Sequence, residues 1–490
     1  MASSQYLSYS DPALAQARKT HLKFFCIAFA AITVLSLGLN AVYWGSYFRQ
    51  EENAYRLTVR LIDLDSQAYG NGGGAVLGPA VIQASQQNIA ANPHYHLGWQ
   101  IEENLERFSL AATGAPANVS TRGIDPDQYA RDLVNNQDVF GVVLIRANAT
   151  SAAIAAYEQG LTDYEPQGAM AFYYEQARNF YTEDQYVSFH TTRLLSAAIG
   201  QATQQLTART LGTAAAAAGG FDFTGLCPNG GATVPALGAA TTTSAIPINS
   251  PFWYSTYNLH PFDQFAATAC TTAGAIYLII FTFFIGLFFK NTFDGLHPKL
   301  TVASEVLMRI MVPMAGYFWI SLMYSLVSLA FKVTFNRYYG RVGFFIYWML
   351  NWVTQMGLGY TMEFVLLAFG PLIFPFFLLV WVIFNVSPVF LDLADIDHFW
   401  SYGFVLPVWN NVDASKSLIF GTKNHLGQDF GVCLGWMFFS MAGIMVITIR
   451  RKGKAMNEAS RERREIINRV RHGQLEKVGQ AGGKDGRGAV

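Results

Sequence analysis

The sequence predicts a polytopic α-helical membrane protein with an α/β extracytoplasmic domain inserted between its first two spans. Three observations predict it. Phe24–Phe48 and Gln264–Phe289 carry no charge, and each is long enough, at ~1.5 Å per residue, to cross a ~30 Å hydrocarbon core as a helix. No lysine occurs between Lys23 and Lys290. Glu51–Asp263 holds nine arginines against nineteen acids, a formal charge of −10, whereas the whole chain sums to zero. The membrane-flanking remainder is therefore basic, the sorting of charge that a bilayer imposes.

Composition agrees. The chain is 52% hydrophobic and only 13% charged, against roughly a quarter charged in ordinary soluble domains. Phenylalanine and tryptophan crowd the stretch after Gln264, as expected of spans with interfacial aromatics. The four cysteines, Cys26, Cys227, Cys270 and Cys433, show no CxxC spacing, which argues against a zinc site or a disulfide framework. The first apolar run is too long for a signal-peptide core and reads as a retained anchor.

Further spans follow the second. Ile310–Phe331 is charge-free and preceded by Glu305 and Arg309, an i,i+4 pair that neutralises itself. Between Val342 and Leu391 the only charge is Glu363. The run is too long for one crossing and splits at Gly370–Pro371, giving Val342–Phe369 and Pro371–Val386. Phe430–Ile449 is the sixth span, stopped by Arg450, Arg451, Lys452 and Lys454. Arg18, Lys19 and Lys23 before the first span, and twelve basic against five acidic residues after the last, place both termini in the cytoplasm. One loop disagrees, because Lys332, Arg337 and Arg341 then face outward.

The domains read as a cytoplasmic N-terminus (1–23), span 1 (24–48), an extracytoplasmic domain (49–263), a transmembrane domain (264–449) and a basic cytoplasmic tail (450–490). In the extracytoplasmic domain, strand character at Arg56–Asp65, a glycine turn at 70–74 and a helix over Pro79–Ala91 begin an α/β alternation. Val139–Ile145 and Ala169–Tyr174 continue it as strands, with helices at Ala149–Gln159 and Glu183–Leu211. Residues 211–245, rich in Ala, Gly and Thr, bury too little to order and are expected to form a disordered loop. Asn118-Val-Ser and Asn148-Ala-Thr are glycosylation sequons in this domain. The segment 387–429 mixes aspartates with Trp400, Tyr402 and Trp409 and reads as interfacial or re-entrant. The tail reads as a basic helix, either solvated or drawn to anionic lipid.

Candidate chemistry is sparse. Asp63 and Asp65 flank Leu64 at a strand end and either bind a cation or do acid–base work, or are simply solvated. His94 and His96 offer two metal ligands without a third nearby, or a surface pair. The glycine-rich stretch 70–78 lacks the Lys-Ser/Thr of a phosphate loop, and that motif occurs nowhere, so the chain carries no nucleotide-binding domain. No nucleophile–base set marks an enzyme, no cofactor is implied, and no nucleic acid is expected as a partner. Asn351, Gln355, Gly359 and Glu363 recur every four residues as one polar stripe. This stripe is either a substrate path or a seam where amides bond and glycine lets helices approach.

The motifs resemble a known family. Val59-Arg-Leu-Ile-Asp-Leu-Asp65, Gly78-Pro79 and Gly98-Trp99 lie in the domain. Asn385-Val-Ser-Pro388, Phe399-Trp-Ser-Tyr402-Gly403-Phe-Val-Leu-Pro407 and Lys423-Asn-His-Leu-Gly427-Gln-Asp-Phe-Gly431 follow. This order resembles the fungal nitrosoguanidine-resistance membrane proteins, a domain-of-unknown-function family distantly similar to ABC-2 type permeases and bacterial phage-infection proteins. The resemblance implies an ABC-2-like plasma-membrane protein that confers resistance to toxic compounds by export or altered permeability. The alternative is a non-transporting organiser that arranges lipids or membrane proteins. Membrane lipids are the expected partners, with a second copy of the chain or other membrane proteins as further candidates.

Overall fold

The computed structural model describes residues 50–68, 74–93, 95–108, 123–159, 164–217, 250–293 and 300–482, with isolated positions between 12 and 42. The predicted first span, His94, Asn118 and Cys227 lie outside the described residues or among the isolated ones. The chain divides into two units. One holds residues 1–275, 328–347 and 383–429, and the other 276–327, 348–382 and 430–490.

The first unit is built on a five-stranded sheet: β1 (Thr58–Asp63), β2 (Gly98–Ile101), β3 (Gly141–Ile145), β4 (Met170–Tyr174) and β5 (Tyr254–Asn258), in the order β2-β1-β3-β4-β5. Only the β3–β4 pair is antiparallel, with Val143 opposite Phe172; β1 runs parallel to both β2 and β3. Central β3, Gly-Val-Val-Leu-Ile, is buried at every position, which is why it reads as a continuous apolar run rather than an alternating one. Its residues divide by the strand's period of two. Val143 and Ile145 join Val59, Leu61 and Phe172 under α1 (Leu77–Ala91), α3 (Ala149–Gln159) and α4 (Phe189–Ala217). Val142 and Leu144 join Ile62 and Tyr173 on the other face, against α2 (Pro126–Asn135).

Several expectations shift here. β2 and β5 are strands that periodicity did not single out, and β5 belongs to the sheet only through pairing with β4. The long helix opens as a π-helical turn over Glu183–Ser188 and continues to Ala217, so 211–217 is helix, and 218–249 lies outside the described residues. The aspartate-rich segment 387–429 is described throughout. It belongs to the first unit, where α9 (Pro407–Phe420, numbered after the helices below) buries eleven of its residues. Phe399, Phe404 and Val405, on the preceding 3-10 helix His398–Val405, stay exposed.

The second unit is helical. Its parts are α5 (Gly274–Phe293), α6 (Val302–Ala330), α7 (Gly343–Phe369), α8 (Phe374–Val386) and α10 (Leu426–Gly482), each having a few terminal residues in the other unit. Among the described residues, three stretches are long and apolar enough to cross a membrane: α5, α6 and Leu426–Asn468 of α10. Among these helices α7 has the length but carries the polar stripe, and α8 has only 13 residues, about 20 Å at 1.5 Å per residue. The break between α7 and α8 falls where proline requires it, and Gly370 takes a φ of +87° that suits glycine. The basic tail continues α10 as helix.

Candidate functional site

The polar stripe of α7 is buried and faces α6. Asn351 Nδ2 donates to Ser325 Oγ at 3.0 Å, and Glu363 Oε1 accepts from an Arg309 guanidinium N–H at 2.8 Å. Between them Gly359 lies so close to Tyr317 that an added Cβ would stand 2.2 Å from its hydroxyl oxygen. The partners Arg309, Tyr317 and Ser325, with Pro313 and Ser321 between, also recur every four residues and are all buried. Two i,i+4 stripes therefore face each other on antiparallel helices. Sequence reading found only one; the signal for the other was the matching spacing in α6.

Glu363 was expected to stand alone in an apolar run. Instead it belongs to a four-charge network. Arg309 Nε also reaches Glu305 Oε1 at 3.3 Å, and Lys452 Nζ reaches Glu305 Oε2 at 3.1 Å. Two acids and two bases cancel, and Arg309 also lies over the Phe293 ring at 4.6 Å. Breaking such a buried set by removing one member costs far more than the set contributes when whole. Gln355 is the exception within the stripe. It is fully buried, and neither its amide nitrogen nor its oxygen finds a partner among the described residues.

In the first unit, Asp63 and Asp65 are not a solvated strand end. Asp63 closes β1 and accepts from Ser66 N at 3.0 Å and Ser66 Oγ at 2.5 Å. Asp65 lies in the short helix after the strand and accepts from Thr150 N and Oγ1 at 2.9 and 2.5 Å. Thr150 Oγ1 in turn accepts from Val76 N and Leu77 N, so it caps the start of α1. The two carboxylates tie together β1, α1 and α3, and burial pushes both above the usual aspartate range. Gly78 is required there, because a Cβ would stand 2.0 Å from Asp63 Oδ1. Pro79 sits in the first turn of α1, where its missing N–H costs nothing. Trp99 on β2 donates from Nε1 to Asn88 Oδ1 at 3.1 Å. Asn148 has a φ of +62° and is half-buried just before α3, and the Thr150 of its sequon is buried.

Of the C-terminal motif residues, Gly403 packs against Pro388, Tyr402 stands against Phe384 and Phe399, and Pro407 begins α9. Gly427 near the start of α10 has open space beside it. The first unit also holds something that sequence reading missed, a cavity of about 210 Å³ with His425 of the last motif segment in its wall. Its walls include Arg178, Asp392, Trp409, Asp413, Lys416 and His425. Near it lies a group of buried carboxyls. Burial pushes Glu175 up to about 8, against the opposing pull of Arg178, and Asp395 up to about 7. Glu183 is pushed well above the usual range by burial, and neither of its oxygens has a hydrogen-bond partner among the described residues. Asp395 and the wall residue Asp392 were invisible to periodicity because their partners lie more than 200 residues away, as in Arg178–Asp392 at 3.2 Å and Thr182–Asp395 at 3.3 Å.

A family model described as a protein of unknown function, DUF3533, matches residues 28–442. The chain belongs to this family. The match takes in the β1 aspartates, the α6–α7 stripes and the walls of the cavity. An uncharacterized endoplasmic reticulum membrane protein of Saccharomyces cerevisiae is 28% identical over 193 residues, 39% of this chain and 38% of that protein. The chain thus matches well under half of that relative's length. No solved structure matches. Like this relative, the chain has the character of a membrane protein.

Proposed function

We propose that the protein is a permease-like membrane protein, ABC-2-like in arrangement, whose helical unit holds a closed polar path and confers resistance to toxic compounds by export or altered permeability. The observation that carries the reading is Gln355. A buried amide with no partner costs roughly 1–3 kcal/mol, so a packed seam has no use for it. Water or a solute entering between the α6 and α7 stripes would satisfy it. Six spans with both termini cytoplasmic fit the division of the chain, which leaves the polar unit after residues 275, 347 and 429 and returns to it after 327 and 382. The protein is read as a transporter or membrane organiser rather than an enzyme. The plasma membrane follows from the resemblance to resistance proteins, whereas the name of the yeast relative favours the endoplasmic reticulum; imaging of a tagged chain decides between them.

The organiser reading has its own support. The contacts Asn351–Ser325, Gly359–Tyr317 and Glu363–Arg309 close the seam along its length. Efflux of a labelled toxic compound from cells with the wild-type chain, Gln355→Leu or no chain separates the two. Export requires that Gln355→Leu reach wild-type abundance yet lose most of the efflux. Equal efflux in both at equal abundance removes the path and leaves the organiser.

A further inference from the structure

The cavity in the first unit has an internal charge economy that specifies a ligand. Arg178 is already satisfied: its Nε meets Asp392 at 3.2 Å, and another guanidinium N–H reaches the carbonyl oxygens of Gln137 and Val139 at 3.3 and 3.4 Å. Its guanidinium lies over the Phe140 ring at 3.6 Å. Arg178 and Asp392 therefore form a closed, neutral pair. Two charges on the walls are not closed in this way.

Lys416 Nζ makes one hydrogen bond among the described residues, to the Arg178 carbonyl oxygen at 2.9 Å. An ammonium has three donors, so two remain for an occupant. Burial pulls this lysine below its ordinary range, against the opposing pulls of Asp413, Asp392 and Glu175. Asp413, one turn earlier on α9, uses Oδ2 to meet His425 Nδ1 at 3.2 Å and is one-fifth exposed. One under-used cation and one under-used carboxylate thus share a wall of the same small space, with the amphipathic indole of Trp409 beside them.

We propose that this cavity binds a compact zwitterion, its anionic oxygens on Lys416 and its protonated amine on Asp413. A lone anion would leave Asp413 repelling it, and a lone cation would leave Lys416 doing the same; only a ligand carrying both signs satisfies both. Size sets the second limit. About 210 Å³ is the liquid volume of roughly seven waters, enough for an amino acid or for ethanolamine phosphate and too small for a drug-sized molecule. The same chemistry comes from two sources, a soluble zwitterion or the headgroup of a zwitterionic lipid. The site stands independently of any path in the helical unit.

The test uses the full chain, purified in detergent and in nanodiscs, with O-phosphoethanolamine as the probe and calorimetric binding as the readout. Ethanolamine alone and inorganic phosphate alone should each bind at least tenfold more weakly than the probe. Lys416→Gln and Asp413→Asn should each weaken the probe by tenfold or more. Lys416→Arg, which keeps the charge, should stay within about threefold of wild type and so separate loss of the charge from loss of fold. If phosphatidylethanolamine nanodiscs block the probe and phosphatidylglycerol nanodiscs do not, the occupant is a lipid headgroup; equal binding in both assigns a soluble zwitterion. Absence of binding, phosphate binding as tightly as the probe, or unchanged binding in both charge-removing variants overturns the proposal.

Discussion

Replacing Glu175 with glutamine should remove a large part of the pH dependence of stability while leaving stability below about pH 4.5 almost unchanged. Glu175 is buried at the end of β4, with Oε2 accepting from Gln137 Nε2 at 3.2 Å and Oε1 4.0 Å from His260 Nε2. Arg178, Lys416 and Asp413 also act on it, yet burial dominates and raises it from 4.5 to about 8. Burial lowers His260, so the imidazole does not supply the missing charge. Because the folded protein holds this proton over a range where the unfolded chain has lost it, stability is highest at low pH. It falls as pH rises from about 4.5 through about 8. At ~1.4 kcal/mol per unit of pH, the wild type should lose about 3 kcal/mol more than Glu175→Gln between pH 5.5 and 7.5. Glu183 and Asp395 contribute slopes of the same sign but remain in the variant, so the difference between the two proteins isolates Glu175. Denaturant unfolding of both at four pH values supplies the comparison. Parallel stability curves would refute the account of a proton held by burial.

Three further outcomes follow from single contacts. Gly78→Ala forces a Cβ against the Asp63 carboxylate that Ser66 holds in place, and should cost about 1–3 kcal/mol of unfolding free energy in the first unit. Glu363→Leu leaves Arg309 and Lys452 sharing Glu305, an unbalanced buried charge. It should cost about 3–5 kcal/mol and lower the yield of monodisperse protein, whereas Glu363→Gln should be milder. If Asn118 carries a glycan, glycosidase should increase gel mobility and Asn118→Gln should abolish that part of the shift; a band that moves in neither case removes the modification.

How much was legible in the sequence depended on the range of the interaction that decides each feature. The strands at 58–63, 141–145 and 170–174 and the helix at 149–159 were readable because burial on both sheet faces leaves a local signature. The break at Gly370–Pro371 was readable because proline acts on its own neighbour. β5 was not, because Tyr-Ser-Thr-Tyr-Asn is half exposed and becomes a strand through its pairing with β4. The aspartates of β1 were found but misjudged. Alternation located them at a strand end, whereas the donors that bury them come from Ser66 and from Thr150, 85 residues away. The cavity joins residues near 178 to residues near 413 and has no local signature at all.

The basic loop at 332–341 shows the same dependence on distant partners. Counting basic residues assumes that each one meets the membrane field as a free charge. Arg337 does not, because its guanidinium pairs with the carboxylate of Asp263 at the end of the acidic block. The loop makes two further bonds within the first unit: Thr334 N donates to Gln264 Oε1 at 2.7 Å, and Asn424 Nδ2 donates to Tyr339 Oη at 2.6 Å. Residues 328–347 accordingly belong to the acidic unit rather than the helical one. The pair is partly exposed, so it contributes only about 0–1 kcal/mol, yet it offsets the charge that a count of basic residues assigns to Arg337.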